Sequence, residues 1–312
     1  MRFILCALFV AIALAAVGCD SRAPEQANDD AAASRDFAAA QTTWRNERRD
    51  ALLAPGGWTS LVGLHWIDRG SHFVGSAPGN GIRLAMGPPQ LGMLVLDDGK
   101  VRFTPDPAAN VAIDGEASTG AVDLRSDGDP AGPSAVTFDA GKGKATVIER
   151  AGRLALRVRH AEAPTRVHFV GLDYWPADRA WVAAGHFVPH PPGKTLQIAS
   201  IIGNVDEVPN PGAVEFTRDG KTFRIEALDE GEDTLFLVFA DRTNGHGSYG
   251  AGRFLDIPRP DAQGNVQVDF NHAYNPPCAF TAFATCPLPP PENRLDLSIT
   301  AGEKAYRKSP HS

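Results

Sequence analysis

Hydrophobic and polar positions change period twice along this chain. Phe3 to Val17 is one unbroken apolar run. A helical spacing follows: Phe37, Ala40, Trp44, Ala51 and Leu52 fall near one face, with Arg45, Glu47, Arg48 and Arg49 mostly elsewhere. Ser34 reads as the N-cap of that helix and Pro55-Gly56-Gly57 as its stop. Beyond it the period is two. Gly92–Leu96 and Lys100–Phe103 flank Asp97-Asp98-Gly99, Ala135–Asp139 and Lys144–Arg150 flank Gly141-Lys142-Gly143, and Ala213–Arg218 and Lys221–Ala227 flank Asp219-Gly220. Each is a hairpin signal, because Gly and Asp tolerate the positive φ of tight turns. Further strands are expected at Leu154–His160, Arg166–Val170, Trp181–His186, Gln197–Ile202, Thr234–Ala240, Val266–Phe270 and Leu295–Thr300. Many short strands and a single long helix predict a mainly β fold, an antiparallel β-sandwich or partly closed β-barrel with one N-terminal α-helix.

The apolar run has the length of a signal peptide and is short for a membrane span. Arg2 precedes it, and Ala16-Val17-Gly18-Cys19 closes it as a lipobox would. Residues 1–18 are therefore expected to be a lipoprotein signal peptide and Cys19 the lipidated N-terminus. Residues 19–33, small and polar, are expected to be a flexible tether, and 34–308 a single domain. The proline-rich Val188-Pro189-His190-Pro191-Pro192-Gly193 either marks a subdomain seam or turns a corner. This places the protein at the cell envelope, on the periplasmic side. Asp20 resembles an inner-membrane retention signal.

Loss of Arg2 with the leader moves the formal net charge from −7 to −8, and no basic block is present, so nucleic acid is excluded as a partner. The only membrane contact expected is the lipid anchor. Of four cysteines, Cys6 leaves with the leader and Cys19 takes lipid, leaving Cys278 and Cys286. Three chemistries compete for Cys278: a nucleophile needing His272 or His65 as base, a metal ligand with Cys286 and a histidine, or a disulfide with Cys286. The His-x5-Cys-x7-Cys spacing matches no compact zinc pattern. An even pair in an oxidising compartment favours the disulfide, worth roughly 2–3 kcal/mol for so short a loop. No metal or cofactor site is expected.

Gly245-His246-Gly247-Ser248-Tyr249-Gly250-Ala251-Gly252-Arg253 offers glycines but is followed by a strand pattern, Phe254–Pro258, where a phosphate cradle requires a helix start. Position 246 is His where a serine-hydrolase elbow requires Gly. Tyr249 and Arg253 remain as a donor pair for a carboxylate or phosphate. The densest polar segment runs from Asp269 through Asn271, Tyr274 and Asn275 to Cys278, then from Cys286 to Glu292 and Asn293. Its prolines stiffen it, as a loop-borne site or a structural clasp both require.

These last segments resemble a known family. Tyr249-Gly250-Ala251-Gly252-Arg253-Phe254, Asp269-Phe270-Asn271, Ala273-Tyr274-Asn275-Pro276-Pro277-Cys278-Ala279-Phe280, Cys286-Pro287 and Pro290-Pro291-Glu292-Asn293-Arg294-Leu295 are similar to the signature of domain-of-unknown-function family 1684. Gly57-Trp58 with Leu61-Val62-Gly63-Leu64-His65-Trp66 resembles that family's N-terminal motif, so the resemblance spans 44–306. It implies no activity; it implies that the polar loops are a family trait. His272 departs from the pattern, in which Arg or Lys is common. The leading expectation is a binding or accessory module. In it Tyr249, Arg253, Asp269, Asn271, Tyr274, Asn275, Glu292, Asn293 and His65 line a polar loop pocket for a small anionic or hydroxylated ligand. The alternatives are an extracytoplasmic hydrolase using Cys278 or a Tyr249/Arg253 anion site, and an envelope structural or assembly protein.

Overall fold

A computed structural model describes residues 23–307. The leader and Cys19 lie outside the described residues. Contacts divide the chain into two compact units, residues 1–40 and 41–312. The helix, Ala23–Leu53, runs across that boundary and starts eleven residues before the expected N-cap. Ser34 does not cap it; its hydroxyl donates to the carbonyl of Asp30 one turn back. The reason is propensity: the stretch expected as tether holds five Ala, the best helix former, beside Glu25 and Gln26, and Pro24 is tolerated in a first turn. From Ala23 on, the stretch read as flexible is therefore helical. No helix of the described residues is long and apolar enough to cross a membrane.

Within residues 41–312 the helix end is held by polar anchors at helical spacing. Gln41 donates to Asp269 (3.1 Å), Arg48 pairs with buried Glu303 (2.9 Å), and Leu52 is buried against Ala279 and Phe280. The rest is mainly β, with antiparallel sheets, sandwich-like and without a closed barrel. One six-stranded sheet runs Leu61–Trp66, Arg153–His160, Gly143–Arg150, Ala135–Phe138, Ala112–Ile113, Glu116–Ala117 in spatial order. A five-stranded sheet, Ile82–Arg83, Gly70–Gly75, Gly92–Asp97, Lys100–Pro105, Val122–Leu124, shares a core with it. Its one parallel pair is Gly70–Gly75 with Ile82–Arg83. The second half holds a four-stranded sheet (Lys221–Ala227, Gly212–Arg218, Val182–Pro189, Asn265–Asp269) and two ribbons, Thr195–Ala199 with Val205–Pro209 and Thr234–Phe239 with Arg253–Pro258. A second core, built on Val214, Leu237, Leu255 and Phe270, lies there.

The three predicted hairpins form, and Asp98-Gly99 and Asp219-Gly220 take the paired positive φ their turns require. Two predicted strands do not. Residues 164–167 form a helical turn, because Pro164 sets φ at its start and Arg166 reaches the carbonyls of Leu53 and Ala161 (2.7 and 2.6 Å). Leu295–Thr300 is irregular. Its donors are taken elsewhere: Leu295 N–H by the Ala240 carbonyl and Ile299 N–H by the Asp241 carboxylate. The two cores part between Ala163 and Trp181. The proline-rich stretch 188–193 instead ends a strand and turns back toward Thr195.

Candidate functional site

Most of the polar residues singled out above are internal braces. Arg253 opens its strand with the side chain fully buried. Its guanidinium donates to Asp241 (3.1 Å) and to the carbonyls of Ile299 (2.9 Å) and Ala301. Asn271 donates to the Asp178 carbonyl and Asp269 carboxylate (2.9 and 2.8 Å), and accepts from the Asp178 N–H. Asn275 donates to the Lys304 carbonyl, and Asn293 to those of Glu226 and Val238. All four are sealed from solvent, which corrects the expectation that Arg253, Asn271, Asn275 and Asn293 face a ligand. Asp269 is engaged by Gln41 and by the Asn271 N–H. Glu292 is exposed, and the Tyr249 hydroxyl donates to the Cys278 carbonyl (3.3 Å). His65 folds over Gly63 with its Nε2 buried and unpartnered, and burial lowers its pKa. Tyr249 with Arg253 and Asn271 with Asn293 therefore form no common pocket.

Tyr274 alone of these lines a cavity of about 460 Å³. The cavity lies where the six-stranded sheet meets the second half. Arg150 and Arg157 reach it from the sheet, and Trp58 from the turn that enters the sheet. Ser200, Phe236, Phe254 and Asp256 come from the ribbons, and the segment 284–287 closes it. Strand alternation explains the basic wall. Leu156 and Val158 point into the first core, which sends Arg157 and Arg159 to the opposite face. That face is covered by the second half, so Arg157 is only 7 % exposed.

The cavity's cations, Arg48, Arg150 and Arg157, come from the first part of the chain and its carboxylates from the second, with Arg48 lying against the Tyr274–Asp256 pair. Arg157 forms no ion pair among the described residues, its Nε has no partner, and one Nη reaches Thr285 Oγ1 at 3.4 Å. Burial, then repulsion from Arg150 and Arg159, brings its pKa down to about 10. Arg150 is paired with Asp127 (2.8 Å). Asp206, Glu230 and Asp256 carry the acidic wall. Asp256 and Glu230 are exposed in part but flanked by protein. Desolvation raises both pKa values, and the charge of Asp256 adds to the rise at Glu230. Asp256 accepts from the Tyr274 hydroxyl (2.9 Å), and the Arg48 guanidinium sits 4.5 Å over the Tyr274 ring. The sequence held one signal for the basic wall: Arg153, Arg157 and Arg159 share one face of Arg153–His160.

Cys286 also lines the cavity. It and Cys278 are free thiols here, not the expected disulfide; the Cys278 N–H donates to Cys286 Sγ (3.1 Å), and the bond between the thiols lowers Cys278 and raises Cys286. Neither hydrogen-bonds a histidine; His272 instead stacks on Trp44 at 4.6 Å. A nucleophilic Cys278 thus has no base beside it. Among the described residues no group of three or more His, Cys, Asp or Glu is placed to hold a metal.

The model of the family described as Protein of unknown function (DUF1684) matches residues 167–304. Residues 167–304 of the chain belong to this family. The match lies within the 44–306 span of the resemblance and covers the second half of the fold. No curated protein matches the sequence. Among solved structures, the chain is similar to the solution NMR structure of the uncharacterized protein from gene locus rrnAC0354 of Haloarcula marismortui. The two are 30% identical over 45% of this chain and 78% of that one, with a TM-score of 0.37. The DUF1684 segment supplies the acidic wall, Tyr274 and Cys286. Arg48, Trp58, Arg150 and Arg157 come from outside it.

Proposed function

We propose that the protein is a lipid-anchored binding module of the cell envelope that holds a small ligand in the cavity between Arg157 and Asp256. One observation carries this reading: a cavity of about 460 Å³, in the size range of small-molecule sites, opens between two packed halves and is lined by both arginines and carboxylates. The anchor rests on the Ala16-Val17-Gly18-Cys19 motif. Differential scanning fluorimetry against a panel of neutral, anionic and cationic metabolites and glycans tests the binding. At least one compound is expected to raise Tm, and Ala284→Phe, which fills the cavity from its wall, is expected to abolish that rise while keeping the native circular dichroism. No stabilising compound, together with a stably co-purifying protein partner, would favour the envelope-assembly alternative.

Mass spectrometry of the chain extracted from membranes and alkylated without reductant reads the N-terminus and the thiols together. Cys19 is expected to carry acyl mass. Cys278 and Cys286, already in contact, are expected to close a disulfide in an oxidising compartment, seen as a two-hydrogen deficit. Two alkyl adducts would leave them as the thiols seen here, and an unmodified Met1 would remove the anchor.

A further inference from the structure

A buried guanidinium without a counter-charge is costly, so its retention calls for a group that the folded chain itself does not supply. Arg157 is in that position. It lies 93 % buried on a sheet face, feels the charge of two more arginines and forms no ion pair among the described residues; Asp127, whose charge also acts on it, is engaged by Arg150. Its unpartnered Nε and the Nη held only by a long bond to Thr285 form a fork of donors, and Arg150 Nε reaches the same Thr285 hydroxyl. The guanidinium groups of Arg157 and Arg159 lie 5.7 and 5.6 Å from the Trp58 ring, which also lines the cavity. Asp206, Glu230 and Asp256 on the acidic wall can only accept hydrogen bonds when ionised, and the aromatic faces of Phe236 and Phe254 lie beside them.

We infer that the cavity binds a small polyhydroxylated anion, its carboxylate or phosphate seated on Arg157 beside Arg150 and its hydroxyl groups donating to Asp256 and Glu230. This rests on the cavity being the binding site and goes beyond it by fixing the ligand's charge and orientation. A planar fork matches both anions through paired N–H donors, whereas Arg48, the cation beside Asp256, is already paired with Glu303, so the unpaired Arg157 takes the anion. An anion there also supplies the charge that Arg157 lacks, so ligand and fold stabilise one another.

Glucuronate, glucose 6-phosphate, inorganic phosphate and neutral glucose are the probes, titrated calorimetrically and followed by thermal shift. Glucuronate or glucose 6-phosphate is expected to bind and raise Tm, and the stronger of the two tells which anion the site takes. Glucose is expected to bind at least tenfold more weakly, because it leaves the guanidinium unpaired. Inorganic phosphate alone reads the anion subsite without the hydroxyl contacts. Arg157→Gln is expected to cost the anion tenfold or more in affinity while leaving the ligand-free Tm unchanged or higher, which a merely structural arginine would not do. Arg157→Lys keeps the charge, loses the fork and is expected to fall between. Equal binding of glucose and glucuronate, or a ligand-free Tm that drops in Arg157→Gln with anion affinity unchanged, would overturn the inference. If a neutral or cationic compound from the wider panel binds and Ala284→Phe blocks it, the binding site stands and the anion assignment alone falls.

Discussion

Arg253→Met is expected to destabilise the fold by about 3–5 kcal/mol, lowering Tm by roughly 10 °C, without removing a ligand contact. The side chain is completely buried, and so is its partner Asp241. Removing the guanidinium leaves the Asp241 carboxylate charged in a fully buried site, held only by the Thr243 hydroxyl and the N–H groups of Ile299 and Thr243. It also strands the carbonyls of Ile299 and Ala301, which have Arg253 as a donor. The double variant Arg253→Met/Asp241→Leu is expected to recover part of the loss, since a buried pair replaced by apolar groups is far less costly than a pair cut in half. Chemical denaturation of wild type, both single variants and the double variant measures this. A loss below about 1 kcal/mol in Arg253→Met would mean that the pair is reached by water, and would reopen Arg253 as a ligand contact.

Asn293→Leu comes second, at about 3 kcal/mol. Asn293 is fully buried and ties three backbone groups from two strands. Its amide donates to the carbonyls of Glu226 and Val238, and its Oδ1 accepts from the Glu226 N–H at 2.7 Å. Leucine has similar bulk but satisfies none of them, and each stranded buried group costs about 1–3 kcal/mol. The neighbouring Glu292 gives the control. It is exposed, so Glu292→Ala is expected to change stability by less than about 0.5 kcal/mol. Urea midpoints for the two variants separate the readings: equal shifts would refute the bracing role assigned to Asn293.

These two residues show why polar loop residues mislead. From the sequence, Arg253, Asn271, Asn275 and Asn293 present as donors and acceptors gathered on proline-stiffened loops, as a binding site would be. In the fold the same groups are consumed inward. The segments after Asp269 pair with little regular strand, so their backbone groups are satisfied by side chains, and buried Asn and Arg supply the bonds. Tyr274 escapes because its hydroxyl reaches Asp256 at the cavity wall.

What the sequence determined by itself is local. Alternation between two Asp-Gly turns and one Gly-Lys-Gly turn set the mainly β class and three hairpins, because side-chain period and turn dihedrals are properties of a few adjacent residues. It also marked the polar loops of the family. The start of the helix was equally local, set by the propensity of Ala-rich residues before Ser34, but the N-cap signal concealed it. Tertiary structure alone decided the cavity. Arg157 stands on the polar face of its strand, where alternation predicts water. Pairing of Leu61–Trp66 with Arg153–His160 brings Trp58 beside it, and only the docking of a half that begins beyond Ala163 buries that face and adds Asp256 to the cavity lining. Burial and the lack of a counter-charge arise from contacts about a hundred residues apart in the chain, and no local pattern encodes them.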